Sequence, residues 1–434
     1  MVLAALPMFV IVVLVGVLIS ISFQSGIIGT ADAKFTLSNY VDLFSDPIIE
    51  EALYNTIIFS ITATLVSMGI GLPIAWLTER TTMRAKSAVY AIMTLGLLIP
   101  GIYTAMGWTF LAHSRIGFLN RWAVEYFSLS EAPINIATPI GMGFVQGLSL
   151  AALAFILTAQ MFRAMNPSLE EAAKIHGLGF IGTMRRVTLP LAMPAILAAV
   201  IYIVVIGIAT FDVPAIIGLA NRVYMISTYV FEKANPGDEE FSQHGITAAL
   251  GVIMIGVALL LTWWYSTVLR QGDKYQVVTG KGYRPTLIDI RNWGKVAWTF
   301  IILYIIAAKI IPLVLIGYAA FVPYLAPPSA KMFSLMSLDG IMENMDWDLV
   351  VRGLKNTVLL VLIVPAATLI LAFSISWLII RSRSRARYVL EFGAFLPHAL
   401  PEVILAVAAI LLSLFVLKDF VPLYGTITLI AVVY

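Results

Sequence analysis

Long apolar segments alternate with short polar segments along almost the whole chain. A hydrocarbon core of about 30 Å is crossed by about 20 apolar residues in a helix, and this pattern predicts ten membrane spans. Because lipid offers no partner to backbone N–H and C=O groups, we expect every span to be helical. The spans lie near residues 3–23, 54–77, 88–112, 138–162, 191–219, 245–269, 296–325, 357–380, 392–417 and 424–434, the last one cut short. The predicted fold class is therefore all-α, as a polytopic membrane protein.

The composition agrees with a membrane protein and excludes several kinds of chemistry. Of the 434 residues, 60% are hydrophobic and only 12% are charged, whereas soluble domains carry about 25% charged residues. The chain has no cysteine, which rules out disulfides, thiolate catalysis and cysteine metal sites. The four histidines are scattered without a pair at helical spacing, so we expect no metal site, no catalytic residue and no cofactor. Residues 1–23 lack a basic start and a cleavage site, which favours a first span over a signal peptide.

Charge is distributed unequally between the loops on the two sides of the predicted membrane. By the positive-inside rule, the loops rich in Lys and Arg lie in the cytoplasm, and the N-terminus lies there with them. The opposite loops are acidic. The basic set is Arg80, Arg84, Lys86, Arg163, Lys174, Arg185, Arg186, Arg270, Lys274, Lys281, Arg284, Arg291, Lys295, Arg381, Arg383, Arg385 and Arg387, which is 17 of the 27 basic residues.

The sequence contains an internal repeat at an offset of about 300 residues. An even number of spans separates matching positions, so the two copies have the same orientation and form a parallel repeat. We predict a first repeat of six spans at 1–269, a basic cytoplasmic linker at 270–295 and a second repeat at 296–434. Asn55-Thr56, Trp76, Arg80, Arg84 and Pro100 recur as Asn356-Thr357, Trp377, Arg381, Arg385 and Pro401.

The repeat predicts a second copy of the loop described next, about 40 residues beyond Tyr434 at the same offset. The second repeat is therefore expected to be incomplete, short of two or three spans, either by truncation or by nature.

One polar segment between spans, residues 163–190, combines helix-forming residues with a glycine hinge. We call it the Glu-Ala-Ala loop, after Glu171-Ala172-Ala173. Gly177 and Gly179 permit a reversal, and Pro190 falls where the first turn of the next span tolerates proline. This pattern predicts two short helices at an angle on the cytoplasmic face, with Ala172 and Ala173 leaving a shallow surface for a soluble partner. A solvated amphipathic connector is the alternative.

The spacing resembles a loop known from one transporter family. Glu171-Ala172-Ala173, three residues, Gly177, nine residues and then Val187-x-Leu189-Pro190 are similar to the loop that marks the membrane subunits of ATP-binding-cassette importers. Val187 stands where isoleucine is usual. The resemblance implies the type I importer fold in a bacterial inner membrane. It also implies that two cytoplasmic ATPase subunits dock on the loop, with Glu171 as the docking acid and Gly177 as the turn.

The same resemblance implies a periplasmic or extracellular substrate-binding protein and no nucleic-acid partner. ATP hydrolysis would then belong to separate chains, and this chain would not be an enzyme. Its own Gly280-Lys281-Gly282 lacks both the first Gly and the Ser/Thr of a phosphate-binding loop.

Two further segments resemble one branch of that family. Residues 275–285 in the linker and residues 211–218 at the end of a span are similar to those of fused two-half permeases for iron(III). This resemblance favours iron(III) as the transported solute over polyamines, thiamine or aminophosphonates, which related importers carry.

Ionisable residues predicted at membrane depth are candidates for the pathway, because burying charge there is costly. Asp212, beside Pro214, lies near the outer end of its span, where an interfacial position is an equal alternative. Glu402 follows Pro401 and takes the place of Gly101 in the first repeat, so it is a candidate for the gate. For Lys309 the position within its span favours snorkelling to the interface.

Two other classes of protein compete with an ATP-driven importer. A twelve-helix proton-coupled secondary transporter also duplicates six helices in parallel, but it has no need of the Glu-Ala-Ala loop and usually buries more charge. A membrane scaffold without transport activity is the third possibility. The proline-interrupted spans weigh against a scaffold, because irregular backbone at membrane depth normally lines a cavity.

Overall fold

The computed structural model describes residues 2–25, 34–166, 168–235, 244–272, 287–291, 293–381, 390, 402–418 and 420–433. Its first part consists of α1 (Val2–Ser22), a two-stranded antiparallel ladder of β1 (Gln24–Ser25) and β2 (Lys34–Phe35), α2 (Ser38–Ser45), α3 (Pro47–Arg80), α4 (Lys86–Leu97), α5 (Gly101–Ala112), α6 (Phe118–Phe127), α7 (Pro139–Ala164), α8 (Ser168–Ile175), α9 (Phe180–Thr183), α10 (Leu189–Ala209), α11 (Ile226–Ala234) and α12 (His244–Gly272).

The rest of the described chain is also helical. It consists of α13 (Gly294–Ile305), α14 (Ile311–Phe321), α15 (Ala330–Ser334), α16 (Asp339–Asn344), α17 (Trp347–Arg381), α18 (Glu402–Leu411) and α19 (Ile427–Val433). Wider π-helical turns lie at Met184–Thr188, Pro214–Gly218, Ile306–Ile310 and Leu412–Val416. Within the described residues six helices are long and apolar enough to cross a membrane, and one bent pair makes a possible seventh. The all-α, polytopic prediction is confirmed.

Two of the predicted spans are interrupted, which corrects the prediction of continuous helices. The span predicted at 88–112 is broken into α4 and α5, which meet at 89°. The span predicted at 191–219 ends as α10 at Ala209 and resumes as the π-helical turn that begins at Pro214. Pro100 lies in the first interruption, and Pro214 begins the turn that follows the second. Proline has no N–H to continue a helical hydrogen-bond ladder. The linker motif at 275–285 lies outside the described residues.

The centre of the bundle is the close approach of α3 and α7, which run in the same direction. A Cβ atom at Gly147 would lie 2.5 Å from the Cβ atom of Val66, and one at Gly71 would lie 2.6 Å from the carbonyl oxygen of Ala151. Small residues of this kind let two backbones pack tightly in lipid, where the hydrophobic effect does not drive helices together. Only glycine fits these contacts without a shift of the neighbouring helix.

Both α3 and α7 begin at one end of the bundle and finish at the other. We call the end that carries Arg80, Arg163 and residues 165–188 the loop end, and the end that carries Asp46 the far end. At the far end the Asp46 carboxylate accepts hydrogen bonds from the Ile48 amide at 3.0 Å and the Tyr229 hydroxyl at 2.5 Å, and it pairs with the Lys233 ammonium at 3.3 Å. Burial raises the pKa of Asp46, but these partners outweigh burial and hold the pKa below its ordinary value. They fix the start of α3 to α11.

The first span of each predicted repeat packs against a helix of the other repeat. In the first repeat, Leu18 of α1 lies in one buried cluster with Ile404 of α18. In the second repeat, α14 packs on α5, where a Cβ atom at Gly107 would lie 2.2 Å from the Cα atom of Pro312. The first span of one predicted repeat therefore lies against α18, and that of the other lies against α5.

The two longest helices have different surroundings. Helix α3 has 34 residues and lies in the core between α7 and α10, whereas α17 has 35 residues and none of its described residues is buried. They begin at residues 47 and 347 and end at 80 and 381, so their offsets are 300 and 301. Helix α17 presents its apolar sides to the surroundings of the chain.

We predict that Gly147→Ala destabilises the protein by about 1–3 kcal/mol, because the added methyl group overpacks the contact with Val66. Thermal unfolding in detergent measures this change. Gly69→Ala is the matched control, since a Cβ atom at Gly69 meets nothing within 4 Å and alanine favours a helix by about 0.5–1 kcal/mol over glycine. Equal melting temperatures for the two variants would contradict the packing argument.

The Glu-Ala-Ala loop and the broken span as candidate functional sites

The Glu-Ala-Ala loop folds into two short helices joined by a glycine turn, as predicted. Helix α8 ends where Gly177 adopts a φ of +80°, a conformation that favours glycine. The Leu178 amide donates to the Ala173 carbonyl at 3.0 Å, and the Gly177 amide donates to the Lys174 carbonyl at 2.9 Å. These bonds satisfy carbonyls at the end of α8, in the manner of a glycine helix cap. The chain then enters α9 and reaches α10 through Met184–Thr188.

The surface of this loop is more apolar than its sequence suggests. Ile175 is 85% exposed, Ile181 66% and Phe180 52%. Ala172 is exposed as predicted, but Ala173 is buried, which corrects the expectation that both alanines form the surface. Consecutive helical residues point about 100° apart, so when one alanine faces outward its neighbour turns toward the bundle. Together Ile175, Phe180 and Ile181 form what we call the apolar tip of the loop.

A buried ion pair anchors the loop to the bundle. Glu170 of α8 pairs with Arg80 at the end of α3, and their side chains are only 7% and 3% exposed. The second oxygen of Glu170 accepts a hydrogen bond from the Thr188 hydroxyl at 2.7 Å. Arg80 also donates to the Met165 carbonyl at 3.4 Å. The ends of α3 and α7, helix α8 and the approach to α10 therefore meet at one carboxylate.

Glu170 was missed by sequence reasoning, which selected its neighbour Glu171. Glu171 lies on α8 and is half-buried. A signal for the buried pair was present in Arg80, whose recurrence at Arg381 was noted only as part of the repeat. Of the other predicted loop residues, Val187 lies half-buried in the turn before α10 and Leu189 lies half-buried at its start. Pro190 lies in the first turn of α10, the position predicted for it.

A second ion pair lies beside the first and is more open to solvent. Arg163 donates twice to the Glu79 carboxylate at 3.2 Å, and the Tyr90 hydroxyl donates to it at 2.6 Å. The Arg163 guanidinium lies 5.2 Å from the centre of the Tyr90 ring. Because the Arg163 side chain is 66% exposed, breaking this pair is expected to lower the free energy of unfolding less than breaking the buried one.

The described end of the linker also contacts this region. The Ile288 amide donates to the Arg80 carbonyl at 2.9 Å, and the Thr82 amide donates to the Ile288 carbonyl at 2.9 Å. These bonds satisfy a carbonyl at the end of α3 that has no partner within its own helix.

The break between α4 and α5 is the second candidate site. Lys309, in the π-helical turn between α13 and α14, is 7% exposed, and its ammonium donates to the Gly96 carbonyl at 2.8 Å. The prediction that Lys309 snorkels to the interface is therefore wrong. Its side chain turns into the bundle because the end of α4 offers unpaired carbonyls, which attract a cation.

The structure brings Asp212 to the other side of the same break. One Asp212 oxygen accepts from the Val213 amide at 2.9 Å. The other lies so close to Gly101, at the start of α5, that a Cβ atom there would be 1.9 Å away. Pro214 is buried next to it. Glu402 is exposed at the start of α18, and Pro401 lies outside the described residues. In the part of the chain that is described, no group of three His, Asp or Glu residues is placed to hold a metal ion.

Comparisons with known proteins agree with this architecture. A family model described as the binding-protein-dependent transport system inner membrane component matches residues 1–271. The Fe(3+)-transport system permease protein FbpB 2 of Haemophilus influenzae is 23% identical over 428 residues, covering 98% of this chain and 74% of the relative. The spermidine/putrescine transport system permease protein PotB of Escherichia coli is 25% identical over 244 residues, covering 55% of this chain and 85% of the relative.

A likeness to a solved structure is also found. A bacterial ABC transporter involved in the import of the acidic polysaccharide alginate is similar with a TM-score of 0.44 and 16% identity, covering 61% of this chain and 93% of the other.

The helical bundle with its anchored loop defines a multi-span membrane transport subunit. The chain belongs to the family of binding-protein-dependent transport system inner membrane components, and it is the permease component of an ATP-binding-cassette importer.

We predict that Glu170→Met and Arg80→Met each destabilise the protein by about 3–5 kcal/mol, because each leaves an uncompensated buried charge. The double variant is expected to be more stable than either single variant, since it leaves no lone charge. Denaturant unfolding in detergent measures all three. Arg163→Met, which breaks the exposed pair, serves as the control and should cost about 1 kcal/mol or less. Additive losses in the double variant would argue against the buried pair.

Proposed function

We propose that this chain forms the pathway of an importer driven by two cytoplasmic ATPase subunits that bind the Glu-Ala-Ala loop. The observation that carries the proposal is the apolar tip on an otherwise polar loop, held by the buried Arg80–Glu170 pair. Exposed apolar side chains at a polar surface are typical of a protein interface. Glu171 and Gly177 keep the roles that the family resemblance implies, as docking acid and turn.

The geometry supports a mechanical role for the anchor. A force applied to α8 reaches α3 through Glu170 and Arg80, and it reaches α10 through Thr188. Both helices cross the bundle, so a rigid-body movement of the loop is carried to the far end. ATP-driven approach of the two ATPase subunits would in this way open the pathway toward the far end, and hydrolysis would reverse the movement.

Orientation and organisation follow from the same proposal. The loop end, with its basic side chains, lies in the cytoplasm together with the N-terminus, and the acidic far end receives a solute-loaded binding protein. Residues 1–269 form one repeat, residues 270–295 the linker and residues 296–434 part of a second repeat. The lengths of α3 and α17, 34 and 35 residues, and their offsets of 300 and 301 support this division.

Iron(III) is the proposed solute. Support comes from the similarity to FbpB 2, which extends over both predicted repeats, whereas the match to PotB covers 55% of the chain. Asp212 and Pro214, at the break, are the proposed pathway or gate residues, with Pro401 and Glu402 as their proposed counterparts in the second repeat. Polyamines are the main alternative solute.

The docking role is tested by placing charge on the apolar tip. We predict that Ile175→Glu with Ile181→Glu lowers the affinity for the ATPase subunits at least about tenfold, a loss of about 1.4 kcal/mol. Both side chains are exposed, so folding is expected to be unaffected. Phe127→Glu, at a side chain 60% exposed on α6, is the control. Co-purification and binding titrations in detergent measure the effect, and unchanged affinity would refute docking at the tip.

The solute is tested in lipid vesicles that contain the permease and its ATPase subunits. Binding protein loaded with iron(III) is expected to stimulate ATP hydrolysis and to deliver iron across the vesicle membrane, while the same protein offered putrescine is not. Stimulation by putrescine would reassign the solute. Uptake driven by a proton gradient without ATPase subunits would support a secondary transporter instead.

A further inference from the structure

We propose that Lys309 is a positioning residue that fixes the second repeat to the break in the first. We call its hydrogen bond to the Gly96 carbonyl the latch. The inference rests on the proposed function, in which the two repeats move relative to each other. It begins with the break itself, where the last carbonyls of α4 have no helical partner and Pro100 supplies no N–H. A break of this kind is stable at membrane depth only if other parts of the protein satisfy it.

Lys309 supplies that partner from the other repeat. Its ammonium donates to the Gly96 carbonyl at 2.8 Å, and among the described residues no carboxylate forms an ion pair with it. The negative end of the α4 dipole is therefore its main compensation. A Cβ atom at Gly96 would lie 3.2 Å from the Cε atom of Lys309, so glycine at this position allows the close approach.

The same segment of the second repeat also holds the other arm of the break. The Trp108 indole of α5 donates to the Ala307 carbonyl at 3.2 Å. Ala307 lies in the same π-helical turn as Lys309, and such turns recur at functional positions. In the helix that follows this turn, Pro312 of α14 packs on Gly107 of α5. One turn of the second repeat thus contacts both α4 and α5.

Contact with both arms has a specific consequence. If the turn shifts, the angle between α4 and α5 must follow, or the Lys309 and Trp108 hydrogen bonds must open. The latch therefore couples the position of the second repeat to the angle of the break, next to the proposed gate at Asp212. Without the Lys309 bond, only apolar packing still joins α4 to that turn.

Amide hydrogen exchange tests the latch in the complete chain, without transport. We expect Lys309→Met to speed exchange of the amides of residues 98–103, Pro100 excepted, about tenfold, because local opening becomes easier. Lys295→Met, at an exposed lysine near the start of α13, the helix that leads into the turn, is the control and should change nothing. Gly96→Ala, which keeps the charge but crowds the contact, should give an increase of at least about twofold and serves if Lys309→Met does not fold. Less than a twofold change in both variants would overturn the latch.

A second measurement separates positioning from a purely structural role. In the complex with ATPase subunits, an ATP analogue should change exchange at residues 306–312 and at residues 98–103 together. In Lys309→Met only the first segment should respond. A joint response that survives the substitution would refute the coupling. If the wild-type complex shows no response to the analogue in either segment, the proposed ATP-driven function fails, while the tenfold effect in the isolated chain still tests the latch.

Discussion

Inside a bilayer, every interruption of a helix must be satisfied by the protein, because no water is present to bond the freed backbone groups. The break between α4 and α5 shows how this constraint organises the molecule. The Gly96 carbonyl is bonded by a lysine more than 200 residues later in the chain, and the Asp212 carboxylate lies against the start of α5. A cation at a helix C-terminus and an anion at a helix N-terminus are the arrangements that helix dipoles favour. The irregular backbone is thus held by charges that belong to different elements.

The loop end and the far end are joined by one long helix. Helix α3 has 34 residues, which at about 1.5 Å per residue is roughly 50 Å. Arg80 fixes one of its ends to the Glu-Ala-Ala loop, and Asp46 fixes the other to α11. Between them, Gly71 and Gly147 bring α3 and α7 into direct backbone contact. A helix held in this way is well suited to carry a displacement from one membrane surface to the other.

Much of this fold was predictable from residue patterns, for reasons that also explain the failures. The length of the apolar segments predicted the helices, because few other backbone structures are stable in a membrane. Gly177 predicted the turn, in which it adopts a φ of +80°. Pro100 was visible in the sequence, but apolar length alone cannot distinguish a kinked helix from a right-angled break. Lys309 was misplaced because its partner is a backbone carbonyl far away in sequence. Glu170 was passed over because burial, not residue type, distinguishes it from Glu171. The linker motif and Pro401 fall outside the described residues, and the predicted repeat boundaries and gate residues stay predictions.

In the predicted repeat α5 corresponds to α18, and the two helices begin with different residues, Gly101 in one and Glu402 in the other. In an assembly of two identical subunits, a single mutation alters both sides of a shared channel at once. When both copies are encoded in one polypeptide, one copy can acquire a carboxylate side chain while the other keeps glycine at the matching position. A fusion of two such copies therefore permits each wall of a shared channel to change independently of the other.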